Sequence, residues 1–463
     1  MITTMSRAFS GVGSRNSRIL ALLTAAFVLL AAVLGLLSAA DPATGLILMA
    51  VVVIAPLFIL WPKSVPHLLV VSIFFGEAIA LGEGLTLGRA TAPIAAVGLI
   101  VHLLDQGFVL LRSKLLAWGV GGYFLIAIAS LLWTQSLEGT TFALTSLGIG
   151  LIYILSFAVL LETESDLRRI LATVTVSAGL LGSWWIWSYL SGIDRFENPA
   201  GDPNFFAVYQ ILAIPLCIAL ASHCKDQALV ALLYLATAIM AISVVASISR
   251  GGLLALATTA IVAVLLPVGG LFSSRSQKKA VVATGLIVLV ACAPVVWADF
   301  NDRFQSEYGR LGLWRSALYA YEQQPLTGLG FGAYNELSFQ LLAETPGALL
   351  EEHTQESLIE GRQVHNAYLE VLAEMGIVGV LFFLLLLAGI PVELRRAARL
   401  AGPSPLLRST CGALICGAVG FVVASVFLSS NNNRALWFLV GMTLALGTMA
   451  KRLTEQELEP EGV

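Results

Sequence analysis

Charge is what this sequence lacks most. Only 12% of its 463 residues are Asp, Glu, Lys or Arg, against 58% hydrophobic, and the mean hydropathy is +0.87. Soluble domains carry about 25% charged residues, so half that share, with long apolar runs, excludes a soluble globular protein and implies a chain that crosses a bilayer repeatedly. The net charge of −3 comes with no basic stripe, which excludes a nucleic-acid partner. The five cysteines (Cys217, Cys224, Cys292, Cys411, Cys416) form no CxxC and fall in or beside apolar runs, so they read as free buried thiols, without a disulfide or zinc framework. Carboxylates are nearly absent from the apolar runs, with Glu77 the main exception. Ion-coupled transporters need such groups near the midplane, which weighs against transport. No run shows the two-residue alternation of a membrane barrel. The runs must therefore be helices, because hydrocarbon offers their backbone groups no water.

About twenty apolar residues span a bilayer, and about fourteen segments qualify: 19–39, 44–61, 66–81, 90–104, 115–133, 141–161, 170–190, 204–222, 227–248, 251–270, 280–298, 372–392, 406–428 and 434–450. The first follows Arg7, Arg15 and Arg18 and is longer than a secretory h-region, so it is expected to be a retained helix. Basic residues accumulate on cytoplasmic loops. Starting with the N-terminus inside, the alternation places eighteen of the 26 basic residues there, including Lys63, Arg168, Lys225, Arg396, Arg408 and Arg452. The other eight (Arg89, Arg195, Arg250, Arg303, Arg310, Arg315, Arg362, Arg434) are all arginine, although the chain also has six lysines. Arginine presents a planar fork that matches phosphate oxygens two at a time, so the outer face has the chemistry of a phosphate-binding surface; positive-inside bias with chance is the plainer account.

The chain divides accordingly into an N-terminal transmembrane bundle (1–298), a polar outer segment (299–365), C-terminal transmembrane helices (366–450) and a cytoplasmic tail (451–463). A 67-residue loop is too long for a connector and marginal as a domain, so it is expected to fold down onto the bundle. Its Arg310–Tyr321 stretch reads as an amphipathic helix with Trp314, Leu318 and Tyr321 on one face, suited to lying aromatic side down at a membrane interface. Gly328–Gly332 (GLGFG) has neither a preceding strand nor a following Lys-Ser/Thr, so it is read as a sharp turn or a backbone approach to a ligand rather than a nucleotide loop. Ser249-Arg250-Gly251-Gly252 reverses the chain tightly between two helices; a snorkelling arginine is the structural alternative to a phosphate contact. His365 begins the helix of the run HNAYLEVLAEMG, where backbone amides favour anions and a neutral imidazole suits proton abstraction near pH 7. A capping histidine is the competing reading, and His353 the competing histidine. The scattered carboxylates Asp202, Asp299, Asp302 and Glu307 form no metal cluster, and no metal or cofactor is expected.

The motifs DPNFFA (Asp202–Ala207), ISRGGLLAL (Ile248–Leu256), GRLGLWRSALYAYEQQPLTGLGFGAY (Gly309–Tyr334) and HNAYLEVLAEMGIVG (His365–Gly379), in this order, resemble the O-antigen ligase and polymerase superfamily of bacterial envelope glycosyltransferases. The resemblance is strongest over 204–379. It implies an all-α, GT-C-like polytopic membrane protein, usually of about ten to twelve helices, with one long periplasmic loop carrying short helices, in the inner membrane with its site facing the periplasm; with the fourteen spans counted above, about 12–14 transmembrane helices are expected. The implied donor is a glycan on undecaprenyl pyrophosphate, transferred to an acceptor hydroxyl with inversion and without metal or nucleotide sugar. His365 would deprotonate the acceptor. Arg250, Arg310 and Arg315 would hold the pyrophosphate, with Asn204 and Asn366 also contacting the substrate. Ligation to lipid A–core, with membrane lipids as the surroundings, is the leading expectation. Polymerisation onto a second lipid-linked repeat is close behind; transfer to protein is third, given the short acidic tail after Arg452. A polysaccharide or lipid exporter is the alternative from another class.

Overall fold

The computed structural model describes residues 58, 60–76, 78–82, 85–106, 114–193, 198, 201–265, 304–346, 362–402 and 404–458. It is all-α, apart from a ribbon pairing Ala80–Gly82 with Leu85–Thr86. In chain order the helices are α1 (Val65–Phe75), α2 (Leu87–Gln106), α3 (Lys114–Ala129), α4 (Leu137–Leu160), α5 (Glu164–Leu190), α6 (Pro203–Ala221), α7 (Gln227–Ala246), α8 (Arg250–Leu265), α9 (Phe304–Gln323), α10 (Ala333–Glu344), α11 (Ala367–Leu400), α12 (Pro405–Ala424) and α13 (Arg434–Leu458). Among the described residues, nine helices are long and apolar enough to cross a membrane, and α1 and α8 are shorter apolar helices. Each of these eleven meets one expected span. The spans 19–39, 44–61 and 280–298 lie wholly or mostly outside the described residues, as do Glu77, Arg195, Arg303 and His353. The protein is a multi-pass membrane protein.

Burial, rather than composition, shows which helices are central. α6 is apolar around its whole circumference, and 89% of its span is buried; α7 is equally apolar, yet only 22% of it is. A helix that is hydrophobic all round belongs in a core or in lipid, so α6 is the bundle's axis and α7 faces the hydrocarbon. α12 and α13 join α6 at the centre, with 78% and 72% buried. Small residues set the spacing: a Cβ on Gly119 would meet the Leu386 backbone at 2.5 Å, so α3 lies tightly against α11.

The two ends of the bundle differ in chemistry. At one, Lys63 lies 3.1 Å from Glu162 and 3.3 Å from Asp166, and Arg452 lies 3.3 Å from Glu162. Ser404 donates to Glu164 at 2.6 Å across the same cluster. These bonds join α1, the α4–α5 turn, α12 and α13, the ends expected on the cytoplasmic side. The other end gathers the starts of α6, α8, α11 and α13.

The polar segment carries α9, at 20 residues longer than the short helices expected there, and α10. The fully buried stripe of α9 is Leu313, Ser316, Ala317 and Ala320, with Trp314 half-buried against the same core and Leu318 42% exposed. The small residues let α9 pack closely on α10 and the start of α11, so it is fastened to the bundle through this stripe.

Candidate active site at converging helix N-termini

His365 stands immediately before α11 with φ +54, in the left-handed region that non-glycine residues rarely adopt. Two neighbours fix it there. Its backbone N–H donates to Ser429 Oγ at 3.1 Å, and the following Ala367 N–H donates to the Ser425 carbonyl at 2.9 Å, both from the α12–α13 loop. The imidazole is largely enclosed, and its Nδ1 is buried without a hydrogen-bond partner among the described residues. Burial holds its pKa below the ordinary 6.5; Arg310 and Arg362 act in the same direction, while Asp202 opposes them. The ring is thus neutral near pH 7, with an unused nitrogen and two guanidinium groups nearby.

Those charges arrive from different parts of the chain. Arg310 lies on the side of α9 that carries Leu313 and Ala317, which turns it toward α11. Asp202 is the N-cap of α6, its Oδ1 accepting from Asn204 and Phe205 N–H at 2.8 and 3.1 Å. Asn204 in turn accepts from Ser249 Oγ at 2.7 Å, which ties the start of α6 to the residue before Arg250, the first of α8. Ile248, two residues earlier, takes φ +51, a costly conformation for a β-branched side chain. The turn is tight because Gly251 lies against Phe427 and Gly252 against Ala207, where a Cβ would come within 2.9 and 2.5 Å. The structure therefore brings together His365, Arg310, Arg362 and Asp202, and links Asn204 and Arg250 to them through Ser249. Arg315 is about 140° around the helix from Arg310 and exposed, so the two do not share a face. Asn366 is the N-cap of α11, its Oδ1 accepting from Tyr368 and Leu369 N–H at 3.0 and 3.1 Å. Helix N-termini carry partial positive charge and free N–H groups, and those of α6, α8, α11 and α13 converge here.

The glycine run proves to be the clamp on this end. α11 breaks at Gly376, with φ +60 and ψ −163, which removes the helical partners of the preceding carbonyls. The loop replaces them: Leu329 and Gly330 N–H donate to the Ala373 and Glu374 carbonyls at 2.9 Å each, and Ile377 N–H donates to the Pro325 carbonyl at 2.9 Å. Backbones this close leave no room for side chains, since a Cβ on Gly328 would meet the Glu374 carbonyl carbon at 2.3 Å. The close approach expected for GLGFG is thus to the protein's own helix.

Carboxylates in helices are more prominent than the sequence suggested. Glu374, 2% exposed, accepts from Tyr334 N–H at 3.3 Å and from Gly332 N–H, capping the start of α10. One turn earlier Glu370 lies against the Ser429 hydroxyl, and its Oε2 is buried without a partner among the described residues. Glu370 and Ser429 were not singled out in the sequence; Asp202 appeared there at the head of DPNFFA and among the scattered carboxylates, and Arg362 among the outer arginines. Among the described residues no three His, Cys, Asp or Glu are grouped to hold a metal.

Residues 235–384 match the O-antigen ligase family model. Over that stretch the chain has a domain similar to that of O-antigen ligases. The match bears out the resemblance seen in the motifs and runs from α7 into α11, so it contains Arg250, Arg310, Arg315, His365 and Asn366. Asp202, Asn204 and Ser429 lie outside the domain, and yet the site closes through them. No curated protein matches the chain. The domain supports a place among the lipid-linked-glycan transferases of envelope polysaccharide synthesis.

Proposed function

We propose that the protein is an inner-membrane glycosyltransferase that moves a preassembled glycan from undecaprenyl pyrophosphate to an acceptor hydroxyl on the periplasmic side. Lipid A–core is the favoured acceptor. The observation that carries this reading is His365, held neutral with a free ring nitrogen, among arginines and convergent helix N-termini. The acceptor oxygen attacks the anomeric carbon, its proton passes to the imidazole, and the bond from that carbon to the phosphate oxygen breaks, with inversion. The leaving pyrophosphate keeps the electron pair. Arg310 and Arg250, aided by the N-termini of α6, α8 and α11, hold that developing charge, the kind of preorganised field that contributes most to catalysis. Arg315 meets the donor further out along α9, and Asn204 and Asn366 line the approach. Ser429, pinned between Glu370 and the His365 backbone, keeps the base in its left-handed conformation. Polymerisation onto another lipid-linked repeat uses the same groups, so the acceptor alone separates the two readings.

The test uses purified protein in nanodiscs with lipid-linked glycan and a choice of acceptors. A single product on lipid A–core supports ligation, and a ladder of lengths means polymerisation. Absence of any covalent product, with glycan crossing the membrane instead, would leave an exporter.

A further inference from the structure

A second site lies beside the first. A cavity of about 270 Å³ opens between α9 and α10, lined by Gln135, Tyr319, Gln323, Gln324, Gln340 and Glu344 around a floor that includes Leu329 and Leu341. Its volume corresponds to about nine waters, room for a sugar ring with its hydroxyls. The lining decides the ligand class. Four side-chain amides, one of them (Gln340 Nε2) already donating to Glu344 Oε1 at 2.8 Å, offer donors and acceptors together, a match for adjacent hydroxyls that are both at once. The leucine floor and the Tyr319 ring suit the apolar C–H faces of a pyranose. No cation lines the cavity and its one charged side chain is Glu344, so phosphate finds no partner there. The amides do not suit an acyl chain, which wants a mostly apolar pocket.

The cavity is also aligned with the site already described. Arg315, Tyr319 and Gln323 recur every fourth residue along α9, so they form one stripe, each about 6 Å beyond the last. That stripe leads from Arg315, which meets the donor beyond the pyrophosphate, into the amide-lined space. We propose that this cavity is a saccharide subsite that grips a neutral sugar of the glycan chain away from the pyrophosphate, so that the enzyme favours long glycans over single sugars. The identity of the chain as the transferred glycan rests on the proposed function; sugar binding by the cavity does not.

Two measurements on the full-length protein in nanodiscs test this. The first is saturation-transfer NMR with the lipid-free oligosaccharide released by mild acid from the donor used in the transfer assay. Wild type and His365→Ala should both bind it, and Gln323→Ala/Gln340→Ala should bind roughly 2- to 10-fold more weakly per amide removed. The second compares donors carrying one sugar and the full glycan: the double variant should raise KM for the long donor alone, with kcat retained. Equal binding of the oligosaccharide by wild type and double variant, or an equal KM change for both donors, overturns the subsite. Oligosaccharide binding that depends on Gln323 and Gln340, with no transfer by wild type from any donor, would instead remove the transferase reading and keep the subsite.

Discussion

Replacing His365 with glycine separates catalysis from packing. As a plain capping or packing residue, His365 would lose stability on truncation. The structure argues otherwise. Relief of a left-handed conformation is worth about 1–2 kcal/mol for a non-glycine residue. Removing the buried, unpartnered Nδ1 returns a further ~1–3 kcal/mol. Against this stand about 1 kcal/mol of lost apolar contact and ~0.5–1 kcal/mol of added backbone freedom. The net is from about zero to about 3 kcal/mol in favour of His365→Gly, or at most ~2 °C in Tm per kcal/mol for a chain of this size. Transfer should nonetheless fall by ~10²–10⁴-fold, the usual contribution of a general base. Thermal unfolding and initial rate would be measured on the same nanodisc preparation, with rates expressed per folded molecule. His365→Asn serves as a second variant, because asparagine tolerates φ > 0 but is no base. A Tm that drops by several degrees, with residual activity tracking the folded fraction, would return His365 to a structural role and refute the reasoning.

The remaining expectations concern the groups around it. Arg310 disfavours the imidazolium, so Arg310→Gln should move the acidic limb of kcat/KM to higher pH; an unmoved limb would separate Arg310 from the base. In wild type that limb lies below 6.5, and the limb of kcat, with anionic donor bound, should lie above that of kcat/KM; coincident limbs would place the pyrophosphate away from His365. Asn366→Asp keeps an oxygen for the α11 cap and should unfold like wild type, while its KM rises roughly 2- to 10-fold through loss of the amide N–H; an unchanged KM would make Asn366 a cap only. Gly330→Ala forces a side chain onto φ +111 and to within 2.3 Å of Thr134 Oγ1, so it should cost about 2–5 kcal/mol and be visible as aggregation on size exclusion. Gly148→Ala, where a Cβ meets nothing within 4 Å, is the control expected to behave as wild type.

Much of the fold is legible because a bilayer leaves a chain few options. Apolar runs must be helices, and every expected span within the described residues is one. The basic residues also indicated which ends belong together, and the cluster of Lys63, Glu162, Asp166 and Arg452 joins three segments at one of them. What the sequence hides is anything that depends on which helices touch. GLGFG looks like a ligand loop until the break at Gly376 shows which carbonyls it serves. Glu374 looks like one more polar residue in a motif until α10 brings its N–H groups to the carboxylate. In α9, too, helical spacing reveals a face, and only the packing partner says which residues are fully buried. There Ser316, Ala317 and Ala320 make the closest approach, with Trp314 and Tyr319 packed beside them.

The electrostatics of the site give one field two roles. On the proposed reading, Arg310, Arg362 and the converging helix N-termini present positive charge to an anionic leaving group, while burial, together with Arg310 and Arg362, disfavours the imidazolium before the donor arrives. A bound pyrophosphate would cancel part of that field. The imidazolium then becomes easier to form, so the base gains strength at the moment its substrate is in place. This coupling needs the base and the cations on separate elements, since one helix cannot turn four charged groups toward a common point. It explains why His365 precedes α11, Arg310 comes from α9, and Arg250 and Asp202 come from the ends of α8 and α6. The polar segment is therefore not the whole site. On the proposed reading it delivers two cations, Arg310 and Arg362, and the base to a place that the starts of distant helices make positive.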